Sequence, residues 1–450
     1  MNKPNKPKQN GLTRRQFFKN SAYAAGGGLL LSSLPIGASA YGAGSDILKV
    51  GIIGCGGRGT GAANQVLQAE EGTKIVALGD AFRDRLDECY ENLSHRWLEG
   101  GRLDVPEEHK FVGFDAFKHV IDMSDVVVLA SAPGFHPKHF EYAIDQGKHV
   151  FMEKPVATDA PGIRRVLEAG RRAKEKNLNV VVGLQRRYQT SYHEVLKRVQ
   201  NRELGKIISG QVYWNMGNLW VRDRQPQQNE MEYQMRNWYY FNWLCGDHIL
   251  EQHIHNIDVA NWFIGDYPVS AQGMGGREVR TGPRHGQIFD HHFVEFRYPD
   301  GQVISSQCRQ QHNTLSRVDE EFLCTDGHIY VNGGSQGILT KWNGNSVYEH
   351  DSEGDPNPYQ QEIDYLFDSI RKGGLISDAE HGAKSTLAAM IGRMATYSGQ
   401  LIEWEKALNS EKLLVPDDID WDSVPPVVPG EDGEYPVPVP GVYNPFGRTV

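Results

Sequence analysis

Leu48-Lys49-Val50-Gly51-Ile52-Ile53-Gly54-Cys55-Gly56-Gly57-Arg58-Gly59 is the stretch on which the fold turns. Its first six residues read as a short buried strand. Its glycines fall where that strand must hand over to a helix running to about Gln68. Lys74 to Asp80 (K-I-V-A-L-G-D) reads as a second strand that ends on an acid. In this setting Gly54 permits a tight turn, Gly56 lets the backbone approach a pyrophosphate, and Gly59 allows close helix–strand packing. A helix N-terminus offers free N–H groups to a diphosphate, so Gly57 and Arg58 join the candidate cofactor contacts. Asp80 lies 21 residues beyond Gly59. A carboxylate there accepts the adenosine ribose hydroxyls and repels a 2′-phosphate. NAD is therefore expected ahead of NADP, with Arg83 and Arg85 near enough to blunt the distinction.

Working outward, strands are expected at 125–130, 148–152 and 179–183, alternating with helices near 139–145 and 163–176. That alternation predicts an α/β Rossmann-type, doubly wound parallel sheet over residues 41–183. The pattern changes after Gly183. Segments 207–214, 291–298, 303–307 and 328–331 read as antiparallel strands, with a turn at Pro299-Asp300-Gly301. Helices are expected at 247–263, 359–372 and 378–401. Residues 184–405 thus read as an α+β domain on an open, mostly antiparallel sheet. Eight of the 22 prolines follow residue 415, so 406–450 reads as an extended tail crossing a surface.

Composition narrows the function classes. With 39% hydrophobic and 23% charged residues, the 450-residue chain has the makeup of a folded protein. The formal charge is −10, although six of the positive residues crowd into the first forty, which hold no acid. The rest is more acidic still, which excludes a general nucleic-acid or anionic-membrane surface. The five cysteines are scattered, without CxxC or metal spacing, so neither a disulfide framework nor a metal centre is assigned. No apolar run after residue 50 approaches the ~20 residues that span a bilayer. Thr13-Arg14-Arg15-Gln16-Phe17-Phe18-Lys19, the weakly apolar stretch 21–36 and Ala38-Ser39-Ala40 read as a twin-arginine signal peptide over residues 1–40. A periplasmic or exported location is expected, by a route that carries folded, cofactor-loaded proteins.

Gly147-Lys148-His149-Val150-Phe151-Met152-Glu153-Lys154-Pro155 resembles the hallmark of the Gfo/Idh/MocA family, named for glucose–fructose oxidoreductase, inositol dehydrogenase and rhizopine catabolism. The likeness extends over about residues 48–405. It implies that Lys154 points at the reacting carbinol beside the nicotinamide, with Glu153 flanking the cofactor. The family's second signature, an Asp four residues before a His, is met by Glu251-Gln252-His253-Ile254-His255, with Glu in place of Asp. His255 is then the candidate base, and Glu251 orients it or relays its proton. Two other readings stay open: a buried Glu251–His255 ion pair, and a metal set of His248, Glu251 and His255 on one helical face. Pro133 and His136, in the P-G-F-H-P-K-H segment at the carboxyl edge of the sheet, are further cofactor candidates. Arg187 and Tyr188, at the junction into the second domain, are substrate candidates by the same resemblance. Trp220, Arg236 and Trp238 could shape a carbohydrate pocket, while Trp214, Trp243 and Trp262 are read as core.

The expected activity is hydride transfer from a secondary hydroxyl of a sugar, glycoside or cyclitol, with the dinucleotide held tightly because export separates it from free cofactor. Two alternatives remain: glycoside hydrolysis through transient ring oxidation, elimination and re-reduction, and a non-catalytic nucleotide- or sugar-binding protein. The resemblance also implies a homodimer or homotetramer joined through the open sheet.

Overall fold

The computed structural model describes residues 47–447, apart from 71 and 218. The expected signal peptide lies outside the described residues. Six parallel strands form the first sheet: β1 (Leu48–Ile53), β2 (Thr73–Asp80), β3 (Lys110–Val112), β4 (Val126–Leu129), β5 (His149–Met152) and β6 (Val180–Val182). Their order is β3-β2-β1-β4-β5-β6. The apolar runs of β4 and β6, and of β5 after His149, suit strands covered on both faces, and every residue in them is buried. The order reverses between β1 and β4, which opens a crevice at their carboxyl ends.

The helices that cover this sheet carry their own start signals. Helix Ala160–Glu175 is capped by Asp159, whose side chain accepts the Gly162 N–H at 2.8 Å, and Pro161 occupies its first turn. Its buried stripe of Ile163, Val166, Ala169, Gly170 and Ala173 follows helical spacing. Two further helices, Arg83–Trp97 and Ala116–Asp122, were not expected from the sequence. The former is mostly polar, and buries only Leu86, Cys89 and Leu93.

The second sheet has nine strands: β7 (Ile207–Met216), β8 (Ser270–Gly276), β9 (His291–Arg297), β10 (Val303–Gln310), β11 (Arg317–Cys324), β12 (Gly327–Asn332), β13 (Gly337–Lys341), β14 (Ser346–Glu349) and β15 (Ile402–Glu403). The order is β14-β13-β12-β11-β7-β10-β9-β8-β15. It is antiparallel except for the β7–β10 pair. Gly301 makes the expected β9–β10 turn at φ +87°, a left-handed conformation open to glycine. β8 was not legible because its sequence, S-A-Q-G-M-G-G, has no apolar alternation. Its glycines serve close approach: a Cβ on Gly273 would stand 2.4 Å from the Phe293 carbonyl of β9.

Two expectations need correction. The helix expected over 247–263 is two pieces, His248–Glu251 and Ile254–Ile264, broken at Gln252–His253. The domain boundary is also not a single cut. Helix Pro358–Lys372, late in the chain, returns to pack Ile363, Leu366 and Phe367 into the Rossmann core beside Val50, Val66 and Val181. Helix Ala379–Ser398 is buried on nearly every side, as an apolar helix between two sheets must be. Small residues make that possible: Gly382 sits against Val182 of one sheet, Gly392 against Phe296 of the other. After Leu408 the described chain forms no helix or strand, as expected for the proline-rich tail.

Candidate active site

The glycine loop lies at the carboxyl end of β1, beside a cavity of about 730 Å³. Gly54 adopts φ +91°, and a Cβ there would press on the backbone of Ala130 at 2.4 Å. A Cβ on Gly59 would stand 1.7 Å from the Gly54 carbonyl oxygen. By contrast, the space beside Gly56 and Gly57 is empty to 4 Å. No side chain caps helix Gly57–Ala69, so its first N–H groups remain for an anion. Tight packing at two glycines and open space at the other two is the arrangement that a pyrophosphate requires, and the residues present fit a dinucleotide.

Asp80 ends β2 and lines the cavity. Its carboxylate accepts the Cys55 N–H at 2.7 Å and the Phe82 N–H at 2.9 Å, so it also braces the glycine loop. Burial raises its pKa, and those two N–H groups oppose the rise. Arg85 and Arg222 line the same end of the cavity. Arg222 has no carboxylate within ion-pair distance among the described residues. Burial first, then Arg85 and Arg236, lower its pKa. Such a concentration of positive charge favours a polyanionic ligand.

Three of the other expected cofactor contacts, Glu153, Pro133 and His136, do different work. Arg58 lines the cavity with the glycine loop, and its guanidinium also forms ion pairs with Glu153 and with Glu362, the latter at 2.8 Å. Glu362 is fully buried, and burial raises its pKa against the pull of Arg58. Glu153 is thereby a tie between the loop and the E-K-P segment. Pro133 and His136 are buried and stand off the cavity wall. The segment itself is not a loop: a short 3-10 turn at Pro133–Phe135 leads into helix His136–Asp145. His136 Nδ1 meets the Pro155 carbonyl at 2.8 Å, and burial lowers its pKa to about 4. It is a neutral donor that braces the E-K-P turn. Its neighbours Ser131, Phe135 and His139 form the wall instead.

At the carboxyl end of β5, Lys154 reaches the second domain. Its Nζ donates to the Glu251 carbonyl and lies 3.3 Å from Glu251 Oε1. Both side chains are about nine-tenths buried. Burial pushes Glu251 up to about 7, with Lys154 pulling the other way. His255 is buried with Nδ1 unpartnered, and its ring stacks on Trp214 with centroids 5.9 Å apart. Burial, then Lys154 and Arg186, hold His255 well below its ordinary pKa, so it is neutral. The expected Glu251–His255 pair is therefore corrected. The helix is broken between them, no ion pair joins them among the described residues, and Glu251 pairs with Lys154. Trp214, read as core, is the tryptophan that meets the site.

The remaining substrate candidates also move. Arg187 makes two 2.8 Å hydrogen bonds to the buried Asp258 carboxylate. The Tyr188 hydroxyl donates to Asp378. Both groups are consumed in holding the domain junction. Trp220, Trp238 and Arg236 line the same cavity as Asp80, Phe82 and the glycine loop, and form its roof. Arg236 also pairs with Asp84 at 3.1 Å and lies over the Phe82 ring.

The His248–Glu251–His255 metal set does not converge, because Glu251 turns to Lys154. Another set does: Asp247, His248 and His292 bring ligand atoms within 4.8 Å of one another. The Asp247 carboxylate is already filled by protein donors. It accepts from His248 N and Nδ1, from Phe289 N at 3.0 Å and from the Tyr397 hydroxyl. Those donors anchor a residue held at φ +75° just ahead of Glu251.

Comparisons with known proteins agree with this architecture. A family model described as "Oxidoreductase family, NAD-binding Rossmann fold" matches residues 48–184, and one described as "GFO/IDH/MocA C-terminal domain" matches residues 192–330. An inositol 2-dehydrogenase of Cereibacter sphaeroides is 30% identical over 248 residues, covering 54% of this chain and 62% of that protein. The chain thus spans less than two thirds of the length of such relatives. Among solved structures, an aldose–aldose oxidoreductase from Caulobacter crescentus, complexed with glycerol, matches with TM-score 0.63 at 19% identity, covering 79% of this chain and 99% of the other. The scyllo-inositol dehydrogenase of Lactobacillus casei, with bound NAD(H) and scyllo-inositol, gives 0.60 at 19%, covering 80% and 99%. These two share the fold. The two family models together match more than half of the chain, from the glycine loop to the second sheet, and the chain belongs to the Gfo/Idh/MocA oxidoreductase family.

Proposed function

We propose that this protein is an NAD(H)-dependent oxidoreductase acting on a secondary hydroxyl of a sugar, glycoside or cyclitol. The observation that carries the reading is the buried Lys154–Glu251 pair beside a neutral His255, set at the carboxyl end of the strand that follows the dinucleotide crevice. A bound nicotinamide supplies the hydride acceptor. The chain supplies the rest. Lys154 Nζ hydrogen-bonds the substrate oxygen and stabilises negative charge as it develops there. Glu251, poised at about 7, takes up the proton, directly or through Lys154. The unpartnered Nδ1 of His255 offers an acceptor or donor to a neighbouring ring hydroxyl. NAD is favoured over NADP because Asp80, which ends β2, brings a carboxylate to the cavity wall that would repel a 2′-phosphate. The relatives named as inositol 2-dehydrogenases support a polyol substrate.

The proposal includes export by the twin-arginine route, a dinucleotide that stays bound through turnover, and assembly as a homodimer or homotetramer. Its test is a panel of sugars, glycosides and cyclitols offered to the NAD+-loaded protein. Formation of reduced nicotinamide with at least one of them is expected. No reduction by any polyol, alongside bound NAD+, would leave a binding protein.

A further inference from the structure

The tail beyond Leu408 is pinned to both sides of the dinucleotide cleft. On the Rossmann side, Asp159 Oδ2 accepts the Leu414 N–H at 2.8 Å and the Val415 N–H at 3.3 Å. Lys138 donates to the Asp417 carbonyl at 2.8 Å, and Arg165 meets the Asp417 carboxylate at 3.2 Å. Further along, the same tail holds the segment that roofs the cavity. Asn229 Nδ2 donates to the Trp421 carbonyl, and Gln234 Nε2 to the Val427 carbonyl, each at 2.7 Å. The Tyr435 hydroxyl donates to Glu230. Between these anchors the Trp421 ring lies 5.2 Å from Phe82 and 4.7 Å from Phe114, both of which line the cavity. The roof's ion pair to the Rossmann domain, Arg236–Asp84, is partly open to solvent, which weakens it.

We propose that residues 414–435 are part of the dinucleotide site: they clamp the 220–238 roof over the cleft and set how fast the dinucleotide enters and leaves, with Trp421 as the positioning residue. The inference rests on the NAD(H) reading above. Lifting the roof means parting Trp421 from Phe82 and Phe114 and breaking the tail's hydrogen bonds to Asn229, Gln234 and Glu230. The clamp is thus a physical route to a cofactor that stays bound.

The test loads the full chain with NAD+, removes free nucleotide by gel filtration, and follows release into excess ADP-ribose. Trp421→Ala is expected to speed release about tenfold, the loss expected from one aromatic anchor. Trp421→Phe should restore most of the slow release. Association should quicken as well, so that Kd moves less than either rate. A merely structural lesion weakens Kd without faster association. Tyr435→Phe keeps its ring and loses the hydroxyl's ties to Glu230 and Arg224. It should shift both rates in the same direction by less, and it decides the matter if Trp421→Ala does not fold. Unchanged release in the folded variants overturns the clamp and leaves the dinucleotide reading standing. A wild-type chain that binds neither NAD+ nor NADP+ overturns both.

Discussion

The two ends of the cleft are held by opposite means. At the reaction end, Lys154, Glu251 and His255 are buried, and desolvation sets the protonation of Glu251 and His255. At the cofactor end, the roof of Trp220, Arg222, Arg236 and Trp238 is partly exposed and is kept in place by ties to a distant part of the chain. Chemistry and retention are therefore separable: burial tunes the first, reversible surface contacts govern the second. Substitutions at one end should leave the other end's property nearly intact.

The largest expected effect is at Lys154. Lys154→Met should lower kcat by about 10²–10⁴-fold, the usual worth of a group that moves a proton in the transition state. Dinucleotide binding, measured by calorimetry, should remain; loss of binding would break the separation. Arg58→Ala comes next and sharpens the comparison from the fold side. It leaves the fully buried Glu362 without its cation, at a cost of about 3 kcal/mol in denaturant unfolding, the low end for a buried pair because Arg58 is itself 31% exposed. Arg187→Ala should likewise act on stability, by a similar order, with the KM for the polyol little changed. A raised KM at unchanged stability would restore Arg187 as a substrate contact.

pH gives a smaller and more specific readout. Burial favours the protonated form of Glu251, so the ionised base accumulates only as pH rises through about 7. The kcat/KM profile should rise across that value, and Glu251→Gln should remove the rising limb. Stability runs the other way. The folded state keeps a proton that the unfolded chain releases above its model value of 4.5, so this group's contribution is lost as pH climbs from there through about 7. Last and least, Trp220→Ala should raise the Kd for NAD+ several-fold without altering the KM for the polyol. The reverse would return Trp220 to a sugar pocket.

How much was legible depended on distance along the chain. The glycine loop was legible because strand, turn, helix and acid follow one another within one βαβ unit. Lys154 was legible from its immediate neighbours and the family likeness they carry. The pairing of its partners was not. The break at Gln252–His253 is a tertiary event, and it turned an i, i+4 pair into separate contacts. Arg187 and Tyr188 misled for one reason: each is a polar residue near the cleft whose partner, Asp258 or Asp378, lies far along the sequence. The prolines of the tail argue against helix and strand, but nothing local in them marks Trp421 as a neighbour of Phe82.

The central claim is that the cleft holds NAD(H) and that the Lys154 cluster drives hydride transfer into it. The most direct measurement mixes NAD+-loaded wild type and Lys154→Met with the polyol panel and follows the absorbance of reduced nicotinamide in a single turnover. The account predicts reduction in the wild type by at least one secondary alcohol, and a rate lower by orders of magnitude in the variant with NAD+ still bound. Equal rates in the two proteins, or a loaded wild type that no polyol reduces, would contradict it.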